Sequence, residues 1–210
     1  MPTTPRTYVS PLRAQAAAQT RERILQSATR LFAEHGYGRV TVANIADEAG
    51  VSAKAVFASA GSKSDLLNEI VDTAVRASGH EQAIAAVLAA PDLESAVSAL
   101  AHGTRAGNES MFSVHEAIHK ALPSHEDGEA LWERATADYR AALRTAARHL
   151  HTLMASDRRG GRRPEEETAD LLWFWFGPGG WRTLVVENGW PWDRAEAFLL
   201  HTALATLRTP

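Results

Sequence analysis

Residues 41–59, TVANIADEAGVSAKAVFAS, decide the fold. Thr41 is a good N-cap for a short helix, and Gly50 can end that helix because glycine adopts a positive φ at no steric cost. Ser52 can cap a second short helix that continues to the end of the stretch. The pattern predicts two short helices joined by a tight turn. It fits either a helix-turn-helix whose second helix enters a major groove or a plain helical hairpin in an all-α core.

Amphipathic helices are predicted on both sides of this stretch. Ser62 and Asp65 form a capping box before a long helix, while Gly36 marks the end of an earlier one. That earlier helix has one apolar face, made of Ile24, Leu25, Ala28, Leu31 and Phe32. Later helices are predicted at 81–89, 92–106, 109–121, 127–154, 165–176, 178–187 and 193–207, the last with a capping box at Asp193 and Glu196. With no alternating strand pattern and no internal repeat, the predicted fold class is all-α.

Charge is distributed unevenly along the chain. Residues 1–63 contain eight Arg or Lys and four Asp or Glu, so this part carries +4 and the rest carries −7 of the net −3. A basic front end on an acidic body indicates that the front end meets a polyanion such as double-stranded DNA.

Composition excludes several classes of protein and of site. The chain has no cysteine, which rules out disulfides, thiolate nucleophiles and Cys-ligated zinc. Residues 1–15 do not resemble a signal peptide, and the longest apolar run, 171–176, is too short to cross a bilayer. We therefore expect a cytoplasmic protein with no membrane partner.

Residues 24–67, ILQSATRLFAEHGYGRVTVANIADEAGVSAKAVFASAGSKSDLL, resemble the N-terminal domain of the TetR (tetracycline-repressor-like) regulator family. The resemblance implies an N-terminal three-helix helix-turn-helix DNA-binding domain followed by a larger C-terminal helical domain for ligand binding and dimerisation. The expected boundaries are a flexible arm at 1–19, the DNA-binding domain at 20–66 and the ligand-binding and dimerisation domain at 67–210.

The resemblance also implies roles for single residues. It places Thr41, Ser52, Phe57 and Lys63 against the DNA backbone, and Ala53, Lys54 and Ser59 against base edges or nearby phosphates. The sequence departs from the family at Phe57, where a tyrosine is usual, and at Ala60, where a phenylalanine is common. Phe57 therefore has no phenol to offer a phosphate.

His115, Glu116 and His119 match H-E-x-x-H, the signature of zinc metalloproteases. The spacing puts both histidines on one face of a helix. Such enzymes build their substrate cleft on a strand, and no strand is predicted here. We therefore expect no enzyme, no catalytic residue, no metal site and no cofactor, with a metal-dependent hydrolase at these three residues as the alternative.

The helical body after residue 67 is larger than a DNA-reading domain needs. Between residues 92 and 154, aromatic surface and a few polar groups mix in the way that is usual for a small-molecule site. The predicted effector site consists of Met111, Phe112, His115, His119 and Tyr139.

Segment 171–176 is apolar on every side, so it must be covered on nearly every face. This favours a homodimer with Trp173, Trp175 and Phe198 in its interface. The expected function is a ligand-responsive transcriptional regulator, a repressor that binds a palindromic operator as a dimer and is released by a mostly apolar ligand. A helical interaction module without DNA binding remains the other alternative.

Overall fold

The computed structural model describes residues 11–77, 80–156 and 163–209, and each regular element in those ranges is helical. This confirms the all-α class. A 3₁₀ turn at Tyr37–Arg39 follows the first helix, and a π-helical turn at Thr183–Glu187 follows the tenth. The helices are α1 Pro11–His35, α2 Val42–Ala49, α3 Ala53–Ala60, α4 Lys63–Ala77, α5 His80–Leu88, α6 Leu93–Ser110, α7 Phe112–Ala121, α8 Gly128–Ser156, α9 Glu165–Phe176, α10 Pro178–Arg182 and α11 Trp192–Leu207.

Helix α1 begins earlier than the sequence predicts. The predicted arm runs through residue 19, but the structure has residues 11–19 in α1, and their side chains are exposed. Three alanines in a row at 16–18 favour helix even without a buried face, and this outweighs the polar residues around them. The structure thus has residues 11–19 in a helix where the sequence predicts an arm, while residues 1–10 lie outside the described part.

The chain forms two compact units. The N-terminal unit holds the described residues up to Thr73 together with Glu116–Leu131, and the body holds Ala74–His115 and Trp132 onward. These bounds differ from the predicted border between residues 66 and 67, because 116–131 make hydrogen bonds to the N-terminal helices. Helix α7 contributes residues to both units.

In the N-terminal unit, α1, α2 and α3 pack on one another pairwise. Ile24, Phe32, Ile45 and Val56 are fully buried and come from all three helices. Ala46 and Ala49 are also buried, and their small side chains let neighbouring helices approach closely.

The body has its own core, to which α5, α6, α8, α9, α10 and α11 contribute. Its largest fully buried side chains include Trp181, Phe176 and Leu172. No helix within the described ranges has both the length and the apolar character needed to span a membrane.

The start of α11 differs from the prediction of a capping box at Asp193 and Glu196. The N-cap is Pro191, with φ −57° and ψ 145°, and it makes no side-chain cap. Both acidic side chains instead form ion pairs with Arg105 of α6, with the Glu196 contact at 2.8 Å. A long-range ion pair and the fixed φ of proline therefore replace the local cap.

Candidate functional site

Two side-chain caps hold the helix-turn-helix in place. Asn44 N donates to Thr41 Oγ1 at 3.2 Å and Thr41 N donates to Asn44 Oδ1 at 2.9 Å, which closes a capping box at α2. Gly50 ends α2 in the left-handed conformation, with φ 66° and ψ 38°. Ala55 N donates to Ser52 Oγ at 3.2 Å at the start of α3. The predicted caps at Thr41, Gly50 and Ser52 are therefore all confirmed.

Helix α3 has one buried and one exposed face. Val56 and Ala60 are buried one turn apart, and the helix packs on α1 and α2. Ala53, Lys54 and Phe57 lie on the exposed face, and Phe57 is 56% exposed. An exposed aromatic ring beside an exposed lysine forms a surface that is not needed for the internal packing of this unit.

The other predicted DNA contacts flank this face. Thr41 and Ser52 are exposed at the N-termini of α2 and α3, and Ser59 is partly exposed at the end of α3. Their hydroxyl groups are small donors of the kind that position a protein on phosphates.

Lys63 is held by the protein itself. Its Nζ donates to the carbonyl oxygens of Tyr37 at 2.8 Å and Val40 at 3.0 Å, and it lies 4.1 Å from the centre of the Tyr37 ring. Partial burial lowers the pKa of Lys63. An ammonium has three donors, so one N–H remains after these two bonds. Lys63 therefore braces the segment between α1 and α2 in addition to any contact with a phosphate.

Several basic residues of the N-terminal unit are neutralised by ion pairs. Arg21 makes a bidentate pair with Glu69 at 2.7 and 2.8 Å, and Arg30 pairs with Glu48. Arg39, by contrast, is exposed with no ion pair in the described structure, two residues before Thr41. The sequence alone does not separate Arg39 from Arg21 and Arg30, because the partners Glu69 and Glu48 are distant in the chain.

The α7–α8 segment, residues 116–131, is held against the other helices of the N-terminal unit at two places. Lys120 Nζ donates to the carbonyl oxygens of Ala33 and Glu34, the latter at 3.3 Å. These carbonyls belong to the last turn of α1, where a cation is favoured by the helix dipole. The second place is His125, whose ring lies 5.0 Å from the Tyr37 ring.

The hydrogen bonds of His125 fix its neutral tautomer. Asp127 N donates to Nδ1 at 3.1 Å, so Nδ1 must carry the lone pair. The proton is then on Nε2, which donates to Ser64 Oγ at 2.9 Å in the first turn of α4. His125 thus joins the α7–α8 segment to α4 and to Tyr37. No local pattern indicated this contact.

In the body, Tyr139 is the centre of a buried polar cluster. Its hydroxyl donates to the carbonyl oxygen of Phe176 and accepts from Asn108 Nδ2 at 3.0 Å. Burial raises the pKa of the Tyr139 phenol, against the opposing effect of hydrogen bonds with Asn108 and Thr104. Tyr139 therefore stays neutral at ordinary pH.

The predicted effector residues have different environments in the structure. Phe112 packs edge-on against Trp192 with ring centres 6.2 Å apart, and Met111 caps the end of α6 just before it. His115 is partly buried, and burial lowers its pKa to about 4. The side chains of Phe112 and His119 are exposed.

The H-E-x-x-H pattern lies on α7 as predicted. His115 is partly buried, Glu116 is buried and His119 is exposed. Among the described residues, no three His, Cys, Asp or Glu side chains are placed to hold a metal ion together.

A groove of about 240 Å³ lies between α8 and α9. Its lining is mixed in charge rather than mostly apolar, and the Arg140 guanidinium stacks 3.9 Å from the ring centre of Trp173. The groove is lined by Arg140, Leu143, Arg144, Glu165, Glu166, Ala169, Asp170 and Trp173.

The predicted dimer residues have different environments within one chain. Trp175 is only 6% exposed and belongs to the core of the body, so it has almost no surface left for a partner. Trp173 is partly buried, whereas Phe198 is 47% exposed and packs against Trp190. Phe174, which the sequence did not single out, is 71% exposed. Thr168, Leu172, Trp175 and Phe176 form the buried face of α9, and Phe174 lies off that face.

Residues 24–70 match the family model described as bacterial regulatory proteins, tetR family. The exposed α3 face and both capped helices of the N-terminal unit lie inside the matched range. This match confirms, for these residues, the resemblance to the TetR family that the sequence predicts. No protein with a curated description matches it.

Solved structures share the fold over nearly the whole chain. PfmR, a TetR-family regulator from Thermus thermophilus, is similar at a TM-score of 0.65 and 20% identity, covering 90% of this chain and 96% of its own. A protein from Saccharomonospora viridis, described as a transcriptional regulator in complex with choline, has a TM-score of 0.66 and 20% identity over 87% and 94% of the two chains. The fatty acid degradation regulator FadR from Bacillus halodurans has a TM-score of 0.67 and 13% identity over 94% and 97%.

Proposed function

We propose that this protein is a cytoplasmic transcriptional repressor that binds a near-palindromic operator as a homodimer and leaves it when a small molecule binds the body. The observation that carries the proposal is the exposed face of α3 inside the segment that matches the tetR family. Ala53, Lys54 and Ser59 read or approach the bases, while Thr41, Ser52, Phe57 and Lys63 position the domain on the backbone.

Lys54 and Lys63 have different roles in this proposal. Lys54 is exposed on α3, where a long flexible cation can reach a base edge or a flanking phosphate. Lys63 is fixed by the carbonyls of Tyr37 and Val40, so it offers one remaining donor from a rigid position. Arg39, which has no ion pair among the described residues, adds a charge next to Thr41, and we include it among the backbone contacts.

The exposed apolar surface of α9 and α11 supports the dimer. Phe174 and Phe198 are large side chains that water reaches in the single chain, and such side chains are favoured in interfaces. A two-fold dimer would place two α3 helices roughly 34–36 Å apart, or somewhat more, on successive major grooves.

Two routes can carry a signal from the body to the reading helices. The first is a shift of α4, which begins in the N-terminal unit and ends in the body. The second is α7, since its first half belongs to the body and its second half leads to Lys120 and His125. The relative crystallised with choline supports a small-molecule signal for this fold.

The test compares two lysine variants on duplex DNA over a range of salt concentrations. Lys63→Ala should weaken binding to all sequences alike and flatten the dependence on salt, because one phosphate contact is lost. Lys54→Ala should change the preferred sequence. If both variants lower affinity uniformly, the assignment of Lys54 to base reading is wrong. If the wild-type protein binds no duplex at low salt, the proposed function itself is wrong.

Coupling between effector and operator has its own test. Binding must be reciprocal, so operator DNA must weaken effector binding by the same factor by which the effector weakens operator binding. Calorimetric titrations of an effector with and without operator measure this factor. Equal effector affinities in the two titrations would exclude the proposed switch.

A further inference from the structure

The groove between α8 and α9 has two walls of opposite charge. Its α8 wall carries the guanidinium groups of Arg140 and Arg144, and its α9 wall carries the carboxylates of Glu166 and Asp170. All four side chains are exposed. In the described structure none of the four takes part in an ion pair, although they line one groove of about 240 Å³. The two walls therefore leave a gap at these positions that a direct ion pair does not close.

The free carboxylates are exceptions among the acidic side chains of α9. Glu165 and Glu167, on either side of Glu166, each have an arginine partner, at 3.5 and 3.0 Å. Glu166 and Asp170 lie about one helical turn apart and have no such partner among the described residues. Like charges at this spacing repel each other, so a cation bound between them would be stabilising.

On the opposite wall, Arg144 is a cation without an acceptor. Arg140, about one turn before it, stacks 3.9 Å from the centre of the Trp173 ring. For Arg144 the part of the chain that the structure describes holds neither an ion pair nor a hydrogen-bond partner of the guanidinium. A guanidinium presents its N–H donors as a planar fork that matches a carboxylate. The α8 wall is therefore suited to a carboxylate group.

The remaining lining is apolar and limits the size of a ligand. It consists of Leu143, which is buried, and Ala169 and Trp173, which are partly buried. At about 240 Å³ the groove is smaller than the roughly 300–1,000 Å³ of sites for drug-sized molecules, which favours a small ligand. The axes of packed helices lie roughly 8–10 Å apart, so two charges that contact opposite walls belong at opposite ends of the ligand.

We propose that this groove binds a small linear zwitterion, an amino acid whose ammonium and carboxylate are separated by a short methylene chain. The carboxylate pairs with Arg144, the ammonium lies between Glu166 and Asp170, and the chain packs over Leu143. The inference goes beyond the proposed function, because it assigns a ligand site apart from the residues predicted for the effector. Binding in this groove is a property of the body and does not require DNA.

Three probes with the same carbon chain test the charge selection. 5-Aminopentanoate carries both charges, whereas pentanoate carries only the negative one and pentylammonium only the positive one. Calorimetry and saturation-transfer NMR on the full chain should show 5-aminopentanoate binding at least about tenfold more tightly than either single ion. Equal binding of the three probes, or no binding of 5-aminopentanoate, would overturn the proposal, since the groove would then hold only water and salt ions.

Glycine tests whether the ligand spans the groove. It carries the same two charges as 5-aminopentanoate, but a single carbon separates them, so it cannot reach both walls. We expect glycine to bind no more tightly than pentanoate does. Glycine binding as tightly as 5-aminopentanoate would overturn the proposed placement of the two charges on opposite walls.

Variants of the two walls should respond to different probes. Arg144→Gln should weaken binding of 5-aminopentanoate about tenfold and leave pentylammonium unaffected, whereas Asp170→Asn should weaken 5-aminopentanoate about tenfold and leave pentanoate unaffected. Both side chains are exposed, so both variants should keep the melting temperature of the wild-type protein. Glu167→Gln is the control, because its carboxylate pairs with Arg163 and does not line the groove. Wild-type affinity for 5-aminopentanoate in the first two variants would overturn the assignment.

DNA binding is measured on the same samples, so that two failures can be told apart. If 5-aminopentanoate binds as expected but the protein binds no duplex, this inference stands and the proposed function fails. If the protein binds operator DNA and is released by other molecules while 5-aminopentanoate does not bind, the proposed function stands and this inference fails.

Discussion

Replacing His125 with leucine should loosen the α7–α8 segment from the N-terminal unit. The imidazole makes two hydrogen bonds, to Ser64 Oγ at 2.9 Å and from Asp127 N at 3.1 Å, and it packs 5.0 Å from the Tyr37 ring. Leucine keeps an apolar side chain of moderate size in this place but can form neither hydrogen bond.

The structure gives a magnitude for this loss. The hydrogen bond to Ser64 contributes about 1 kcal/mol and the ring pair with Tyr37 about 0.5–1.5 kcal/mol beyond the area that it buries, whereas the bond from Asp127 N lies within the segment. Because these contacts share one side chain and His125 is partly exposed, we expect about 2 kcal/mol in total. This loss lowers the equilibrium constant for attachment of the segment roughly 30-fold.

Hydrogen exchange measures this equilibrium directly. In His125→Leu, the amides of residues 122–128 should exchange about 30-fold faster than in the wild-type protein, in the regime where exchange reports local opening. Affinity for DNA should fall equally for all sequences, because Ser64 and Tyr37 lie next to Lys63 rather than on the face of α3. His119→Leu is the control, since His119 lies in the same segment with its side chain exposed.

One result would refute this reasoning. If His125→Leu and His119→Leu give the same exchange rates and the same melting temperature, then His125 does not hold the segment. The second proposed route for the signal would then have no physical basis, while the route through α4 would be unaffected.

Three further predictions concern other parts of the chain. Gly50→Ala should lower the free energy of unfolding, measured in urea, by about 1 kcal/mol, because its φ is 66° although a Cβ there would contact no other atom. Gly61→Ala should lower it by more than about 2 kcal/mol, because φ is 76° and the added Cβ would also collide with Asp65. Equal losses in the two variants would contradict the structure. Between pH 6.5 and about 4 the unfolded wild-type chain binds a proton at His115 that the folded chain does not, so the wild-type protein loses stability as the pH falls. This loss is at most roughly 3 kcal/mol, and less where water reaches the ring, and His115→Gln should reduce it. An equal dependence of the melting temperature on pH in both proteins would contradict the low pKa of His115. Phe174→Asp should convert the dimer into a monomer, as measured by light scattering. Phe57→Asp should leave the molecular mass of the dimer unchanged and abolish DNA binding. A monomeric wild-type protein would exclude the dimer.

Local signals explain why the helix-turn-helix could be predicted from the sequence. Thr41, Gly50 and Ser52 act within four residues of their partners, so their effect is visible in the order of residues alone. The same holds for Ser62 and Asp65, where Ser62 N donates to Asp65 Oδ2 at 2.7 Å.

Long-range contacts explain what the sequence could not show. Asp193 looks like part of a cap, but its partner is Arg105, far away in the chain. Trp175 and Phe174 are adjacent and both aromatic, yet one is buried and the other is exposed. Which of them faces the core depends on how α9 packs in the body, and an all-apolar segment has no polar face to reveal that rotation.

The polar cluster around Tyr139 also depends on long-range contacts. Met111 and Phe112 are close in sequence to Asn108, which contacts Tyr139 in the structure. His119 and Phe112 share α7, and both side chains are exposed.

The central claim is that this chain reads DNA as a symmetric pair of helix-turn-helix domains. Selection from a random duplex library, followed by sequencing of the bound fraction, tests it most directly. We predict enrichment of two half-sites related by a two-fold axis, with their centres about one helical turn of DNA or slightly more apart. Recovery of an unenriched pool, or of a single half-site without symmetry, would contradict the account.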